Sequence, residues 1–389
     1  MSTTPELFKE QASKEVRTIQ VLRFVAAFAV VCVHSTFYTH ERLASDFAIY
    51  HEGARGVRLF FVISGMVMIL SSERLTKERR GWMVFAAKRV IRILPLYWLI
   101  IFFKIMLLLA SSGLALHSRL DVAYVIKSLF FIPAYNVDGE IMPLHGVGWT
   151  LNFEMFFYTL FALTLFFRVP PVRVLVPILV LLAFCSPFRG ENWPVALRFY
   201  SSPSVLDFAA GMLIARWYQR GLVLNAKLSW TFVVLGLVGL FAPSPWPVSE
   251  FTESLVNTIF SSLAVVGATA LDAYLGRRVP RWAIFMGAAS YAIYLVHPIA
   301  APVAPAIFFY FGWHFPGLAV LTSIIVASTS GSLVYVFIEK PLGRVLNIWL
   351  SRFSFMKSLS HSKVDLSSVA IDRSYDDPER EVAAKHAVP

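Results

Sequence analysis

Apolar residues along this 389-residue chain fall into long runs, separated by short polar breaks that carry proline, glycine and basic side chains. The runs are roughly 17–25 residues, the length that crosses about 30 Å of hydrocarbon as an α-helix. Barrel strands would instead alternate apolar and polar positions over about ten residues, and these runs do not alternate. The pattern predicts an all-α, polytopic integral membrane protein with about ten transmembrane helices. They fall near residues 18–37, 56–72, 93–112, 147–167, 172–187, 204–218, 228–242, 255–272, 282–303 and 317–338. The second, fifth, sixth and seventh are short or flanked by proline. Residues 122–133 are apolar but too short for a span, and suit an interfacial or re-entrant helix. The expected organisation is a cytoplasmic segment over 1–17, a membrane domain over 18–341, and a largely disordered cytoplasmic tail over 342–389.

Composition agrees with this pattern. The chain is 57% hydrophobic and only 15% charged, against about 45–50% and 25% in soluble domains. Its net charge of +11 is distributed unevenly. If the N-terminus is cytoplasmic, Arg74, Lys77, Arg79, Arg80, Lys88, Arg89, Arg92, Arg168, Arg173, Arg216, Arg220 and Lys227 fall on the inner side, as do Arg277, Arg278 and Arg281. The outer side then holds fewer basic residues. That bias places both termini in the cytoplasm. The basic surplus thus suits anionic lipid at the bilayer surface, and no soluble basic domain offers a nucleic-acid partner. Residues 1–16 are polar, and no small-residue cleavage site follows the first apolar run, so no cleavable signal peptide is expected. Cys32 and Cys185 lie inside apolar runs, which argues against a disulfide framework.

Ionisable side chains within spans are costly and usually face a bundle interior or a water-filled cavity. The first span carries Arg23 and His34, eleven residues apart. Helical geometry puts them on one face, about 16 Å apart along the axis. Between them lie Ala26, Ala27 and Val30, small enough for either close helix packing or a narrow tunnel. The fourth span opens with Trp149 and carries Glu154 roughly two turns in; the ninth carries His297 near its outer end. His34, Glu154 and His297 therefore sit at similar expected depth on three helices. Contact between Glu154 and His34 would let the carboxylate orient the imidazole and raise its basicity. Lys88, Arg89 and Arg92 form a basic cluster at the inner surface. The i,i+3 pair shares a face and suits a polyanionic phosphate ligand or a plain membrane anchor. No metal site is expected.

Several of these segments resemble signatures of the acyltransferase-3 family of polytopic membrane O-acyltransferases, exopolysaccharide-acetylating branch. They are Arg23 and His34 with ten residues between them, Gly56–Gly65 (GVRLFFVISG), Arg89–Pro95 (RVIRILP), Trp149–Glu154 (WTLNFE), Ser290–His297 (SYAIYLVH) and the closing Glu339-Lys340-Pro341. Together they run from about Ile19 to Pro341, nearly the whole membrane domain. The resemblance implies transfer of an acyl group, usually acetyl from cytoplasmic acetyl-CoA, to a sugar hydroxyl on an exported or lipid-linked glycan. The resemblance also implies the Arg23/His34 pair and the basic segment as the important positions. Combined with the buried charges, it leads to the expectation that His34, Glu154 and Arg23 are catalytic, that Lys88, Arg89 and Arg92 bind the acyl-CoA, and that Trp149 and His297 contact substrate. One departure stands out: the family usually has an acidic residue after Gly-Val in the second span, where this chain has Arg58. The competing class is a glycan transporter or flippase with buried charges lining a pathway. Paired interrupted helices in symmetric halves, common in transporters, are absent from the pattern.

Overall fold

The computed structural model describes residues 16–110, 120–221, 223–243 and 249–353. The protein is an all-helical polytopic membrane protein. Among the described residues an isolated bridge between Tyr135 and Ile141 is the extent of β-structure. Eight helical stretches are long and apolar enough to cross a bilayer: Arg17–Arg42, His51–Ser72, Gly81–Ala110, Gly146–Phe166, Pro171–Phe188, Glu250–Arg278, Ser290–Tyr310 and Pro316–Ser351.

We number the helices in chain order. α1 is Arg17–Arg42, α2 Gly56–Ser72, α3 Gly81–Ala110, α4 Val122–Leu129, α5 Trp149–Phe166 and α6 Pro171–Phe184. α7 is Val195–Tyr200, α8 Val205–Gln219, α9 Ala226–Phe241 and α10 Glu250–Leu275. α11 is Arg281–Ala288, α12 Ser290–Ala300, α13 Val303–Tyr310, α14 Pro316–Val334 and α15 Lys340–Ser351. The sixth and seventh expected spans correspond to α8 and α9, of 15 and 16 residues. At about 1.5 Å per residue these are shorter than the hydrocarbon core. The expected span 282–303 is divided at Ala289 into α11 and α12. Residues 122–133 contain α4, an eight-residue helix whose N-cap Asp121 accepts from Tyr124 N–H. α3 begins twelve residues before the expected third span, so Lys88, Arg89 and Arg92 lie within one continuous 30-residue helix. The expected tail begins as helix, since α15 continues through Ser351; residues 354–389, like 1–15, lie outside the described region.

Small residues set the closest helix contacts. A Cβ at Gly65 would overlap the carbonyl oxygen of Phe208, and one at Gly211 would overlap that of Val62. α2 and α8 can approach this closely because neither helix carries a side chain at the crossing. Around the crossing, Phe61 stacks on Phe208 with ring centroids 4.6 Å apart, and Phe157 packs on the same ring at 4.4 Å.

The same region explains Arg58. Its guanidinium pairs with Asp207 of α8 at 2.8 Å and donates to the Ser254 carbonyl of α10 at 3.0 Å, and to the Ser254 hydroxyl. Thr258 donates to the other Asp207 oxygen at 2.7 Å. A charge pair held in an apolar bundle thus ties α2, α8 and α10 together, with Asp207 fully buried. The arginine after Gly-Val in the second span has its counter-charge on α8. Removing one partner strands a buried charge, which costs about 3–5 kcal/mol, whereas replacing both with apolar residues can be neutral. Arg58→Met should therefore destabilise the purified protein by that amount in detergent unfolding. Arg58→Met combined with Asp207→Leu should recover most of the loss.

Candidate active site

A cavity of about 760 Å³, counting the space at its mouth, lies between α1, α2, α3, α5 and α12. Its charged lining consists of Arg23, Arg89, Arg92 and Glu154. Four residues singled out in the sequence, from three different spans, thus meet at one site. Apolar side chains cover its flank, among them Val57, Phe60, Ile63 and Ile93.

Each charge is held by specific neighbours. Arg23, 8% exposed, donates to Gln20 Oε1 at 3.2 Å, one turn earlier on α1. Arg89 lies over the rings of Phe85 and Tyr158, 5.3 Å from each centroid, and donates to Ser71 Oγ at 2.8 Å. Such stacking favours arginine over lysine, because a planar guanidinium covers a ring face while still donating at its edge. Glu154 accepts from the Tyr158 hydroxyl at 3.1 Å and interacts with Arg92, Arg89 and Arg23. Three guanidiniums against one carboxylate make the lining cationic, which suits a ligand carrying several negative charges.

The other sequence candidates lie elsewhere. Lys88 is next to Arg89 but does not line the cavity. Trp149, also off the lining, packs edge-on against Phe61 and Phe153 at 6.2 and 5.9 Å. His34 and His297 pack against each other in a T-shape with centroids 4.6 Å apart. Glu154 faces the arginines, and the orientation of His34 comes from a different source. His34 Nδ1 lies 2.9 Å from the Val30 carbonyl oxygen. A carbonyl only accepts, so Nδ1 carries the proton and the neutral ring presents a bare Nε2. Ala26, Ala27 and Val30 are all buried and leave no tunnel along that face: a Cβ at Gly56 would meet the Ala26 carbonyl and Val30.

Tyr294 connects the two groups. It lines the cavity, and its ring lies 5.9 Å from Phe60 and 5.7 Å from His297. Its hydroxyl donates to the Val147 carbonyl at 3.1 Å and accepts from Thr150 at 3.1 Å. The histidine pair therefore lies just beyond the Tyr294 end of the cavity. Ser64, Tyr158, Tyr291 and Gln20 belong to the site as well, and three of them carried a signal in the sequence. Tyr158 falls at i+4 from Glu154, while Ser64 and Tyr291 lie inside the recognised segments. Gln20 gave none beyond its place three residues before Arg23.

Membrane-spanning helices enclosing a cationic cavity, with a bare imidazole nitrogen beyond it, make up the candidate site. Sequence comparison specifies the class: residues 16–337 match the acyltransferase domain family known as acyltransferase-3, and the chain belongs to that family. It is similar to the exopolysaccharide production protein ExoZ of Rhizobium meliloti (strain 1021). The two are 33% identical over 321 residues, covering 79% of this chain and 94% of the relative. No solved structure matches the chain.

The cavity geometry sets a simple accessibility test. With Cys32 and Cys185 both replaced by serine, Ser64→Cys should be alkylated by N-ethylmaleimide at least an order of magnitude faster than Ala27→Cys. Equal rates would mean that the first-span face, not the arginine-lined space, is the open one.

Proposed function

We propose that this acyltransferase uses an acyl-CoA donor, acetyl-CoA in the first instance, to acylate a hydroxyl of an exported or lipid-linked polysaccharide. The reaction is placed in a bacterial inner membrane, with both termini in the cytoplasm. The observation that carries the reading is the cavity itself, with three guanidiniums, one carboxylate and an apolar flank. Coenzyme A joins several phosphates to a long, weakly polar arm, and the two parts of that lining match the two parts of the molecule. Similarity to an exopolysaccharide production protein supports a glycan as acceptor.

In this mechanism Arg23, Arg89 and Arg92 bind the donor's phosphates, with Lys88 adding positive potential beside Arg89. Glu154, bonded to Tyr158, spaces the guanidiniums and limits their mutual repulsion. The donor's arm runs along Phe60 and Ile63 toward Tyr294. His34, its proton fixed on Nδ1 by Val30, offers Nε2 as the reacting atom. Trp149 and His297 serve the acceptor. The site is assembled from nitrogen and oxygen groups that bind anions and move protons, and no step in this scheme calls for a metal.

Membranes containing the full chain should transfer label from acetyl-labelled acetyl-CoA to deacylated exopolysaccharide. His34→Ala should abolish transfer while the protein still accumulates. A charge-assisted hydrogen bond is worth about 1.5–3 kcal/mol, so Arg92→Ala should raise the KM for acetyl-CoA roughly 10–100-fold. Parallel assays with succinyl-CoA identify the preferred acyl group. Glycan movement across the membrane without labelling would refute the reading.

A further inference from the structure

His297 is 0% exposed, and neither ring nitrogen makes a geometrically well-formed hydrogen bond, although the Ile293 and Tyr294 carbonyls one turn earlier on α12 interact with the ring. Buried polar atoms almost always have partners, because leaving one unmade costs roughly 1–3 kcal/mol. An imidazole kept in this condition calls for an explanation, and its neighbour supplies one. The ring packs on His34 at 4.6 Å, and the functional reading above makes His34 the reacting group.

Once His34 Nε2 carries an acyl group, its Nδ1 proton remains committed to Val30. Neither nitrogen can then accept a proton, yet the acceptor's hydroxyl must lose one as it attacks. Two other titratable groups lie near the pair. Tyr38, with its ring 6.3 Å from His34, donates its proton to the Pro298 carbonyl at 3.4 Å. His145, buried, bonds the Leu295 carbonyl through Nε2 at 2.9 Å, which leaves its Nδ1 unprotonated, but the ring packed directly on His34 is that of His297. His297 has no well-formed hydrogen bond at either nitrogen, and its neutral ring keeps one unprotonated nitrogen that can accept a proton.

We propose that His297 is the catalytic base of the second half-reaction, taking the proton of the sugar hydroxyl as it attacks an acyl group carried on His34. In the first half, Nε2 of His34 bonds to the thioester carbonyl carbon, and the carbon–sulfur electron pair leaves with the sulfur as thiolate. The acyl-imidazolium keeps its Nδ1 proton on Val30. In the second half, the acceptor oxygen bonds to the acyl carbon and its proton moves to a ring nitrogen of His297. The carbon–Nε2 electron pair returns to His34, restoring the neutral ring. His297 then releases the proton, which balances the one taken up by the thiolate. The sum is acyl-CoA plus alcohol giving ester plus free coenzyme A.

This proposal rests on the acyl-CoA reading, and the test separates the two. Membranes carrying the full chain are given acetyl-CoA with either deacylated exopolysaccharide or hydroxylamine as acceptor. Hydroxylamine is nucleophilic without a base, so it should discharge an acyl-histidine unaided. Activities are normalised to monodisperse protein extracted from the same membranes. His297→Gln should lose polysaccharide acetylation by about 100-fold or more, the range of general-base effects. It should keep acetohydroxamate formation, measured above the uncatalysed reaction of hydroxylamine with acetyl-CoA, within a few-fold of wild type, whereas His34→Gln should lose polysaccharide acetylation and bring acetohydroxamate down to the uncatalysed rate. If the glutamine variant fails to accumulate, His297→Ala carries the same test, with added imidazole expected to restore polysaccharide acetylation. Parallel loss of both products in a folded His297 variant, or undiminished polysaccharide acetylation, would overturn the proposal. Wild-type membranes that label no polysaccharide would instead refute the functional reading.

Discussion

Burying several guanidinium groups inside an apolar helical bundle is possible only if each is given partners, since an unpaired charge in that medium costs several kcal/mol. The arrangement around the cavity follows from this constraint. Arg89 is held between two aromatic rings and a serine hydroxyl, and Arg23 is held by Gln20. Glu154 faces all three arginines while Tyr158 satisfies one of its oxygens. α1, α3 and α5 must therefore converge at one depth, and α2 and α12 close the space between them. The charges that define the site also specify how its helices assemble.

The same economy appears at Arg58. An arginine in place of the usual acidic residue would be expected to disturb the second span. It is accommodated because Asp207 lies opposite on α8, with Ser254 and Thr258 completing the hydrogen bonds. The site and this ion pair are separate solutions to one problem: charges inside the bundle are compensated both along their own helix, as Arg23 is by Gln20, and across helices, as Arg58 is by Asp207.

In the proposed mechanism, phosphate binding and chemistry are kept apart in space. The cationic cavity ends at Phe60 and Tyr294, and the paired imidazoles lie past that end. A donor anchored by its phosphates in the cavity would have to extend its uncharged arm beyond Tyr294 to reach His34. The separation of about 16 Å between Arg23 and His34, given by eleven residues of helical rise, sets the length of arm required. Because the bare Nε2 of His34 is set by its own backbone, Glu154 is free to serve the arginines.

Much of this was legible in the sequence, because burial in lipid permits few options. Long apolar runs can only be helices there, and a charge placed within one must be compensated or functional. Arg23, His34, Arg89, Arg92, Glu154 and His297 are each conspicuous for that reason. What the sequence could not show was which of them meet. Helical periodicity orders residues along one helix, but the rotation and depth of one helix against another depend on side-chain packing. Gly65 against Phe208 and Gly211 against Val62 set one such contact. The spacing of the first span permitted a tunnel past Ala26 and Val30, and close packing filled it. Equal depth suggested a pairing of Glu154 with His34, and tertiary structure gave Glu154 to the arginines and His34 to Val30 and His297. The sequence by itself determined a helical membrane protein with particular buried charges; only the packing of helices decided their partners, since hydrogen bonds and ring contacts depend on ångström-scale positions that no single helix specifies.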